Sequence, residues 1–167
     1  MKDLKEIVEP LIQWFRENKR DLPWRQTKDP YAVWVSEIML QQTRVEAVKP
    51  YYIRFLQTLP TVKDLANADE EVILKLWEGL GYYSRVRNMQ KAAMQIMEDF
   101  GGVFPANQKD LLSLKGIGPY TAGAVGSIAF GLPIPAVDGN VLRVMSRITA
   151  DASDISLQIT KKEWESR

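Results

Sequence analysis

The sequence of 167 residues contains no cysteine and no histidine. Because cysteine is missing, the chain forms no disulfide, supplies no thiolate to a metal ion and carries no cysteine nucleophile. Because histidine is missing, His-based catalytic triads and His-ligated zinc sites are excluded as well. Any acid–base chemistry of this chain must therefore use aspartate, glutamate, lysine or tyrosine side chains.

Long apolar runs and an excess of charge of one sign are missing too. No stretch of about 18 uncharged apolar residues occurs, so the sequence predicts no transmembrane helix. Asp3, Glu6 and Glu9 interrupt the apolar pattern at the N-terminus, which is unlike a signal peptide and predicts no export. With 22 basic and 21 acidic residues, any nucleic-acid-binding surface must arise from the local placement of basic residues.

What the sequence does contain is apolar residues at helical spacing, which predict an all-α chain with weak strand signals. The longer predicted helices cover about 4–20, 30–41, 82–99 and 139–150, and a further helix begins near the C-terminus. The predicted helix starts are the Asp29–Pro30 pair, a T-x-x-E capping box at Thr43 and Glu46, and N-caps at Thr61, Asp69 and Asp138.

Residues 111–130, LLSLKGIGPYTAGAVGSIAF, predict two helices that meet at a Gly-x-Gly corner. Gly116 and Gly118 permit a tight turn whose backbone can approach a ligand closely. Pro119 opens the second helix, whose N-terminal amides and dipole favour an anion such as a phosphate oxygen. Such a corner alone is also typical of an ordinary helix–helix turn. The additional feature is Asp138, which stands twenty residues after Gly118, in VDGNV at the start of another helix.

Five separated motifs together resemble one protein family. LLSLKGIGPYTAGA followed by VDGNV resembles the hairpin and Asp signature of the helix-hairpin-helix DNA glycosylases. SEIMLQQTRVEAVKPYYIRF, DLPWR and WEGLGYYSRVRN are similar to the adenine DNA glycosylase branch of that superfamily. The resemblance extends over essentially the whole chain and implies an all-α, two-lobed helix-hairpin-helix DNA glycosylase fold.

The resemblance also implies the division of the chain. A six-helix lobe would cover 23–132, with the helix-hairpin-helix at about 107–130, and a discontinuous second lobe would combine 1–22 with 133–167. Full-length family members continue into a four-cysteine segment that binds a [4Fe–4S] cluster and into a C-terminal domain that recognises oxidised guanine. Because neither segment is present, we expect an incomplete second lobe, and we expect this cysteine-free chain to bind no cofactor.

For catalysis, the resemblance implies roles for four residues. Glu37 corresponds to the general acid that protonates the departing adenine, and Asp138 to the carboxylate that stabilises the positive sugar. Asn140 corresponds to a residue that hydrogen-bonds within this site. Tyr120 stands where lyase-competent relatives carry a lysine, and a phenol forms no Schiff base, so we expect base excision without efficient strand cleavage. Residue chemistry alone leaves plainer alternatives open: a partly exposed helix carboxylate for Glu37, an N-cap for Asp138 and a surface amide for Asn140.

A DNA interface is implied as well. Gln42 would fill the space beside a flipped base and Tyr82 would act as a wedge between bases, although composition alone favours a polar interhelical break and a core tyrosine. The candidates for the base pocket are Trp24, Arg25 and Leu40. The candidates for DNA binding are Gln41, Gln42, Thr43, Tyr82, Arg85, Lys115, Gly116, Ile117, Gly118 and Arg143. The family's hairpin also binds a monovalent cation, here through the backbone carbonyls of Leu112, Leu114 and Ile117.

The predicted function is hydrolysis of the N-glycosidic bond of adenine mispaired with 8-oxoguanine or guanine in double-stranded DNA. We expect a monomer with no membrane partner and a bacterial-type cytoplasmic, nucleoid-associated location. Two alternatives stay open: a mismatch thymine glycosylase of the same superfamily, and a catalytically inert DNA-binding fragment.

Overall fold

The computed structural model describes residues 5–166, and within this range it contains α-helices, one short 3-10 helix and no strand. The predicted all-α class is therefore confirmed, while the predicted helix start at residue 4 lies outside the described residues. The helices are α1 (Lys5–Asn18), α2 (Pro30–Leu40), α3 (Val45–Thr58), α4 (Val62–Asn67), α5 (Glu70–Trp77), α6 (Ser84–Asp99), α7 (Gln108–Ser113), α8 (Pro119–Phe130), α9 (Gly139–Thr149) and α10 (Gln158–Ser166), with the 3-10 helix at Pro23–Arg25.

Contacts divide the chain into two compact units. One unit is Pro23–Ala136, which contains the 3-10 helix and α2 to α8. The other unit combines the chain up to Leu22 with the chain from Val137 onward, and so contains α1, α9 and α10. The second unit is therefore discontinuous in sequence, because the whole first unit is inserted between its two parts.

Helix α2 forms the centre of the Pro23–Ala136 unit. Every residue from Tyr31 to Met39 is buried except Glu37, and the helix packs against α3, α8 and the 3-10 helix. The ring of Trp34 meets Phe104 in a T-shaped contact with centroids 5.3 Å apart. A helix that is apolar on all sides must be enclosed, and each large side chain buried in this way contributes about 1.5–3 kcal/mol.

Three of the predicted helix starts, at Asp29, Thr61 and Asp138, are formed by their side chains, whereas Asp69 precedes α5 without a side-chain capping hydrogen bond. Two of the three lie in the Pro23–Ala136 unit. The Asp29 carboxylate accepts a hydrogen bond from the Tyr31 amide, and Pro30 is the first residue of α2. Thr61 and Asp64 form a reciprocal capping box at the start of α4. Both features satisfy amides that the first turn of a helix leaves without an intrahelical partner.

The predicted capping box at Thr43 and Glu46 is wrong. Helix α3 begins at Val45, after Arg44 as N-cap, and Arg44 makes no capping hydrogen bond. The Thr43 hydroxyl instead donates to the Gln41 carbonyl, at 3.2 Å. The hydroxyl is therefore used by the turn that ends α2, which moves the start of the next helix along the chain.

Helix α8 is built from small residues, and the chain after the helix folds back onto it. A Cβ atom at Gly123 would overlap the Pro135 carbonyl, and one at Gly126 would lie 3.0 Å from the Ile134 side chain. The absence of side chains at these two positions therefore allows the backbone of the following segment to lie directly on α8.

In the discontinuous unit, a small core joins α9 to α10. Val137, Leu142 and Trp164 are buried there, and Met145 packs against them. Helix α1 buries none of its residues. Among the described residues, no helix has the length and apolar character needed to cross a membrane.

We predict that Gly123→Ala destabilises the protein. In a helix interior, Gly→Ala normally stabilises by about 0.5–1 kcal/mol. Here the added methyl group meets the Pro135 backbone, so we expect a net loss of about 1–3 kcal/mol in the free energy of unfolding, measured by urea denaturation. The control is Gly139→Ala, in α9, where a Cβ meets nothing within 4 Å. Equal stability of the two variants would contradict the close approach.

Candidate functional site

Glu37 is the single acid within the buried part of α2. Its neighbours on both sides, Ser36 and Ile38, are 1% and 4% exposed, whereas Glu37 itself is partly exposed. The packing of α2 thus fixes the backbone of Glu37 and leaves its carboxyl group at the edge of the core.

Asp138 caps the start of α9. One carboxylate oxygen accepts from the Val141 amide at 2.8 Å, and the other accepts from the Asn140 side-chain amide at 3.0 Å. The N-cap that the sequence predicted is therefore present, and Asn140 holds the same carboxylate in its orientation. A carboxylate fixed by two donors keeps its remaining lone pairs in a defined direction.

The structure describes these two carboxylates in different units: Glu37 belongs to Pro23–Ala136 and Asp138 to the other unit. That both line one cleft stays a prediction.

The hairpin between α7 and α8 is a tight turn held by one hydrogen bond within the turn and one to α6. The Ile117 amide donates to the Leu114 carbonyl at 3.1 Å, and the Lys115 amide donates to the Gln95 side chain at 2.7 Å. Gly116 has a φ of 78°, and a Cβ there would lie 2.9 Å from Cβ of Asn88. Glycine at this position is therefore required both by the backbone conformation and by the contact with α6.

The second half of the hairpin leads directly into α8. Gly118 is the N-cap of α8 and Pro119 its first residue, as the sequence predicted. Gly118 itself has an extended backbone and open space where a Cβ would stand. The first turn of α8 follows directly, and the N-terminus of a helix is suited to an anion because its amides and its dipole present positive potential there. Tyr120 is partly buried in this first turn.

The three carbonyls predicted to bind a cation belong to the end of α7 and the turn. The side chains of Leu114 and Ile117 are 2% and 6% exposed, which anchors the backbone there, whereas Leu112 is exposed. The Leu114 carbonyl already accepts one hydrogen bond, and a carbonyl oxygen has a second lone pair. Among residues 5–166, no group of three or more acidic side chains is placed to hold a metal ion.

Gln42 and Tyr82 share an unusual backbone conformation. Their φ values are 57° and 48°, in the left-handed region, which costs a non-glycine residue about 1–3 kcal/mol. Both side chains are exposed, and Tyr82 is 65% exposed. Strained and exposed residues of this kind are typical of functional positions.

The contact with DNA predicted for Arg85 stays a prediction, and the structure shows which groups of the protein surround its guanidinium. Its two terminal nitrogens point to five backbone carbonyls, three at the end of α2 and two in the turn before α6. Its guanidinium also lies over the rings of Trp77 and Tyr82, 5.3 and 5.7 Å from their centroids. Burial lowers the pKa of this group. Both terminal nitrogens of Arg85 are thus directed at carbonyls of the protein.

Several of the predicted residues surround one cavity of about 100 Å³ between α2, α6 and the hairpin turn. Nε1 of Trp34 and Nε of Arg85 are buried without a hydrogen-bond partner, and both residues line this cavity. Gln41, Lys115 and Gly116 line it as well. The fold therefore brings the end of α2 and the hairpin turn together, although more than 70 positions separate them in sequence.

The remaining candidates are not among the residues that line this cavity. Trp24 is 7% exposed and packs edge-on against Tyr52, with ring centroids 5.4 Å apart. Arg25, next to it, is exposed, and Leu40, at the end of α2, is partly buried. Arg143 is exposed on α9, in the discontinuous unit.

Sequence reasoning missed three residues that shape this site. Gln95 holds the hairpin turn through the Lys115 amide, Asn88 packs against Gly116, and Trp34 lines the cavity. Gln95 and Asn88 look like ordinary polar residues of the α6 surface, so no pattern in the sequence distinguishes them.

Comparison with known proteins agrees with this arrangement. The family described as "HhH-GPD superfamily base excision DNA repair protein" matches residues 35–167. The chain is 48% identical over 161 residues to the adenine DNA glycosylase of Rattus norvegicus, covering 91% of this chain and 31% of the rat protein. It is 46% identical over 162 residues to the human adenine DNA glycosylase, covering 92% of this chain and 30% of the human protein. The chain thus spans about a third of the length of these relatives.

Solved structures give the same result for the fold. A thermostable thymine-DNA glycosylase superposes with a TM-score of 0.85 at 29% identity, over 97% of this chain and 76% of that chain. A non-covalent endonuclease III–DNA complex superposes with a TM-score of 0.75 at 24% identity, over 99% of this chain and 82% of that chain. The predicted helix-hairpin-helix glycosylase fold is confirmed. With its hairpin at 108–130 and a family match over most of its length, the chain belongs to the HhH-GPD superfamily of base excision DNA repair proteins.

Proposed function

We propose that this chain is the catalytic part of a DNA glycosylase that removes adenine mispaired with 8-oxoguanine or guanine. The observation that carries the proposal is identity of 46–48% to proteins named adenine DNA glycosylase, over more than nine-tenths of this chain. A glutamate on the buried α2 and a capped aspartate at the start of α9 supply the two carboxylates that the reaction needs.

In the proposed reaction, Glu37 acts as the general acid. Adenine is a poor leaving group as an anion and a better one after protonation, so Glu37 transfers its proton to a ring nitrogen of adenine. The bond between the sugar C1′ and adenine N9 then breaks, and its electron pair leaves with the base. The sugar becomes an oxocarbenium-like cation, as in glycoside hydrolysis.

Asp138 acts on that cation as an ionised carboxylate, which stabilises developing positive charge electrostatically. Water adds to C1′ and loses a proton, which leaves free adenine and an abasic site. Tyr120 provides no amine to attack the sugar, so the proposed enzyme is monofunctional and leaves the strand intact.

DNA would be held mainly through its phosphates. The first-turn amides of α8, the Lys115 side chain and Arg143 are the groups of this chain suited to phosphate oxygens. The target base must leave the stack before Glu37 can reach it, at a cost of a few kcal/mol that is lower for a mispaired base. We assign Gln42 and Tyr82 to the space that the flipped base vacates.

A monovalent cation fits the hairpin if the carbonyls of Leu112, Leu114 and Ile117 turn to one point, and it would add positive charge beside a phosphate. An iron–sulfur cluster does not fit, because the chain has no cysteine.

The proposal is tested by single-turnover excision from duplexes that differ in one pair. We expect this chain to release adenine opposite 8-oxoguanine and opposite guanine and to leave normal pairs intact. A duplex with thymine opposite guanine tests the second candidate function, a mismatch thymine glycosylase. The similarity to the thymine-DNA glycosylase structure is the observation that supports this candidate. Release of thymine but not adenine would replace the proposal, and binding without release would indicate an inert DNA-binding fragment.

We predict that Glu37→Gln and Asp138→Asn lower the excision rate without weakening DNA binding. General acid catalysis contributes about 10²–10⁴-fold, so the loss for Glu37→Gln should lie in this range, and the loss for Asp138→Asn should be at least as large. Binding should persist, because neither carboxylate contacts phosphate. The measurements are single-turnover rates and a fluorescence-anisotropy titration, with Glu98→Gln, an exposed acid on α6, as control. A Glu37→Gln protein with nearly normal excision would contradict the mechanism.

We predict that Tyr82→Ala slows excision from duplex DNA. Stacking of a base on an aromatic ring contributes about 1–3 kcal/mol, which corresponds to roughly a 5- to 150-fold loss in rate. The loss should shrink when the target adenine lies in an unpaired loop that needs no wedge. The control is Tyr83→Ala, since the neighbouring tyrosine has an ordinary φ of −57°. Equal losses on paired and unpaired targets would count against a wedge.

A further inference from the structure

Arg85 joins two segments of the chain that are distant in sequence. Its Nη1 donates to the carbonyls of Ile38 at 2.8 Å and Gln41 at 2.7 Å, at the end of α2. Its Nη2 donates to the carbonyls of Leu80 at 3.1 Å and Gly81 at 3.2 Å, in the turn before α6. One planar guanidinium therefore fixes the distance and the orientation between the two segments.

Two of these four carbonyls directly precede a strained residue. Gln42 follows Gln41 and Tyr82 follows Gly81, and both adopt left-handed backbone conformations. No glycine relieves the strain at either position, so the surrounding structure must hold it. Arg85 contacts the preceding carbonyl in both cases, whereas the Thr43 hydroxyl reaches only that of Gln41 and the Trp77 indole only that of Gly81. Arg85 also lies against the Tyr82 ring.

Only arginine suits this arrangement. The last carbonyls of a helix have no intrahelical partner, and a cation at a helix C-terminus is favourable. A lysine ammonium offers the charge but is a compact group on one flexible stem, and it cannot reproduce the rigid fork of a guanidinium. A positive charge alone therefore does not explain why position 85 is an arginine.

We propose that Arg85 is a positioning residue that holds Gln42 and Tyr82 in a single arrangement, ready to enter DNA together. The role of the two residues in DNA rests on the proposed function, whereas the bridge between their segments does not. Arg85 thus acts through its neighbours and contacts neither the base nor a phosphate.

The bridge is tested first without DNA, by hydrogen–deuterium exchange on Arg85→Lys. The matched control is Arg54→Lys. Arg54 also donates to a backbone carbonyl, that of Leu76 at 3.2 Å, and also lies over a tyrosine ring, that of Tyr51 at 4.9 Å. We expect amides of residues 39–44 and 80–84 to exchange at least about fivefold faster in Arg85→Lys alone. Arg85→Gln, which removes the charge as well, should give the same two-segment pattern.

The consequence for excision is tested by a double-mutant cycle with Tyr82→Ala. We expect Arg85→Lys to lower the single-turnover rate by at least about tenfold while the dissociation constant for DNA changes less than about threefold. In the Tyr82→Ala background, Arg85→Lys should lower the single-turnover rate by a much smaller factor, because the tyrosine through which Arg85 acts has been removed. If Arg85 merely stabilised the fold, Arg85→Lys would lower the rate by the same factor with Tyr82 present and with Tyr82→Ala.

These outcomes distinguish a failure of the proposed function from a failure of the Arg85 bridge. If the wild-type chain releases no base from any duplex, the proposed function fails, and the exchange experiment still decides on the bridge. Exchange that stays unchanged, or that rises over all helices alike, overturns the bridge. Additive rate losses in the cycle overturn the positioning role even if the wild-type chain excises adenine.

Discussion

The enclosure of α2 is the constraint on which the rest of the Pro23–Ala136 unit depends. Because this helix is apolar on every side, α3, α8 and the 3-10 helix must surround it, and its direction in the core is fixed by close packing. Its last carbonyls then emerge at a defined place, where Arg85 meets them. The position of Glu37 follows from the same packing, since the residues before and after it are buried.

Backbone groups form much of the candidate DNA surface. The left-handed glycine of the hairpin, the first-turn amides of α8 and the two strained residues beside Arg85 are all features of main-chain geometry. This explains how a chain with a formal net charge of +1 can be suited to nucleic acid, because oriented amides supply positive potential without charged side chains. Side chains such as Gln95 and Asn88 support the surface by holding the turn from behind.

The absence of histidine and cysteine leaves the proposed chemistry to carboxylates in contrasting surroundings. Glu37 lies in a buried helix, while Asp138 accepts two hydrogen bonds at the start of another. A proton donor and a stabilising anion need such a difference, since two carboxylates in equal surroundings would not divide the two roles.

The sequence by itself determined the helical class, most helix starts and the hairpin, because these depend on local spacing, caps and glycine. It also identified Asp138 as a cap, since capping involves residues three positions apart. It failed at Thr43, where the turn that ends α2 used the hydroxyl that the capping-box pattern assigned to the next helix. Only the tertiary structure decided that Arg85 faces carbonyls at the end of α2, 44 to 47 positions away. It alone also showed that α8 needs glycine at position 123, where the Pro135 backbone lies against the helix. Such contacts join segments that are brought together by the packing of the whole unit. The sequence around an arginine or a glycine does not reveal which distant segment that residue will contact.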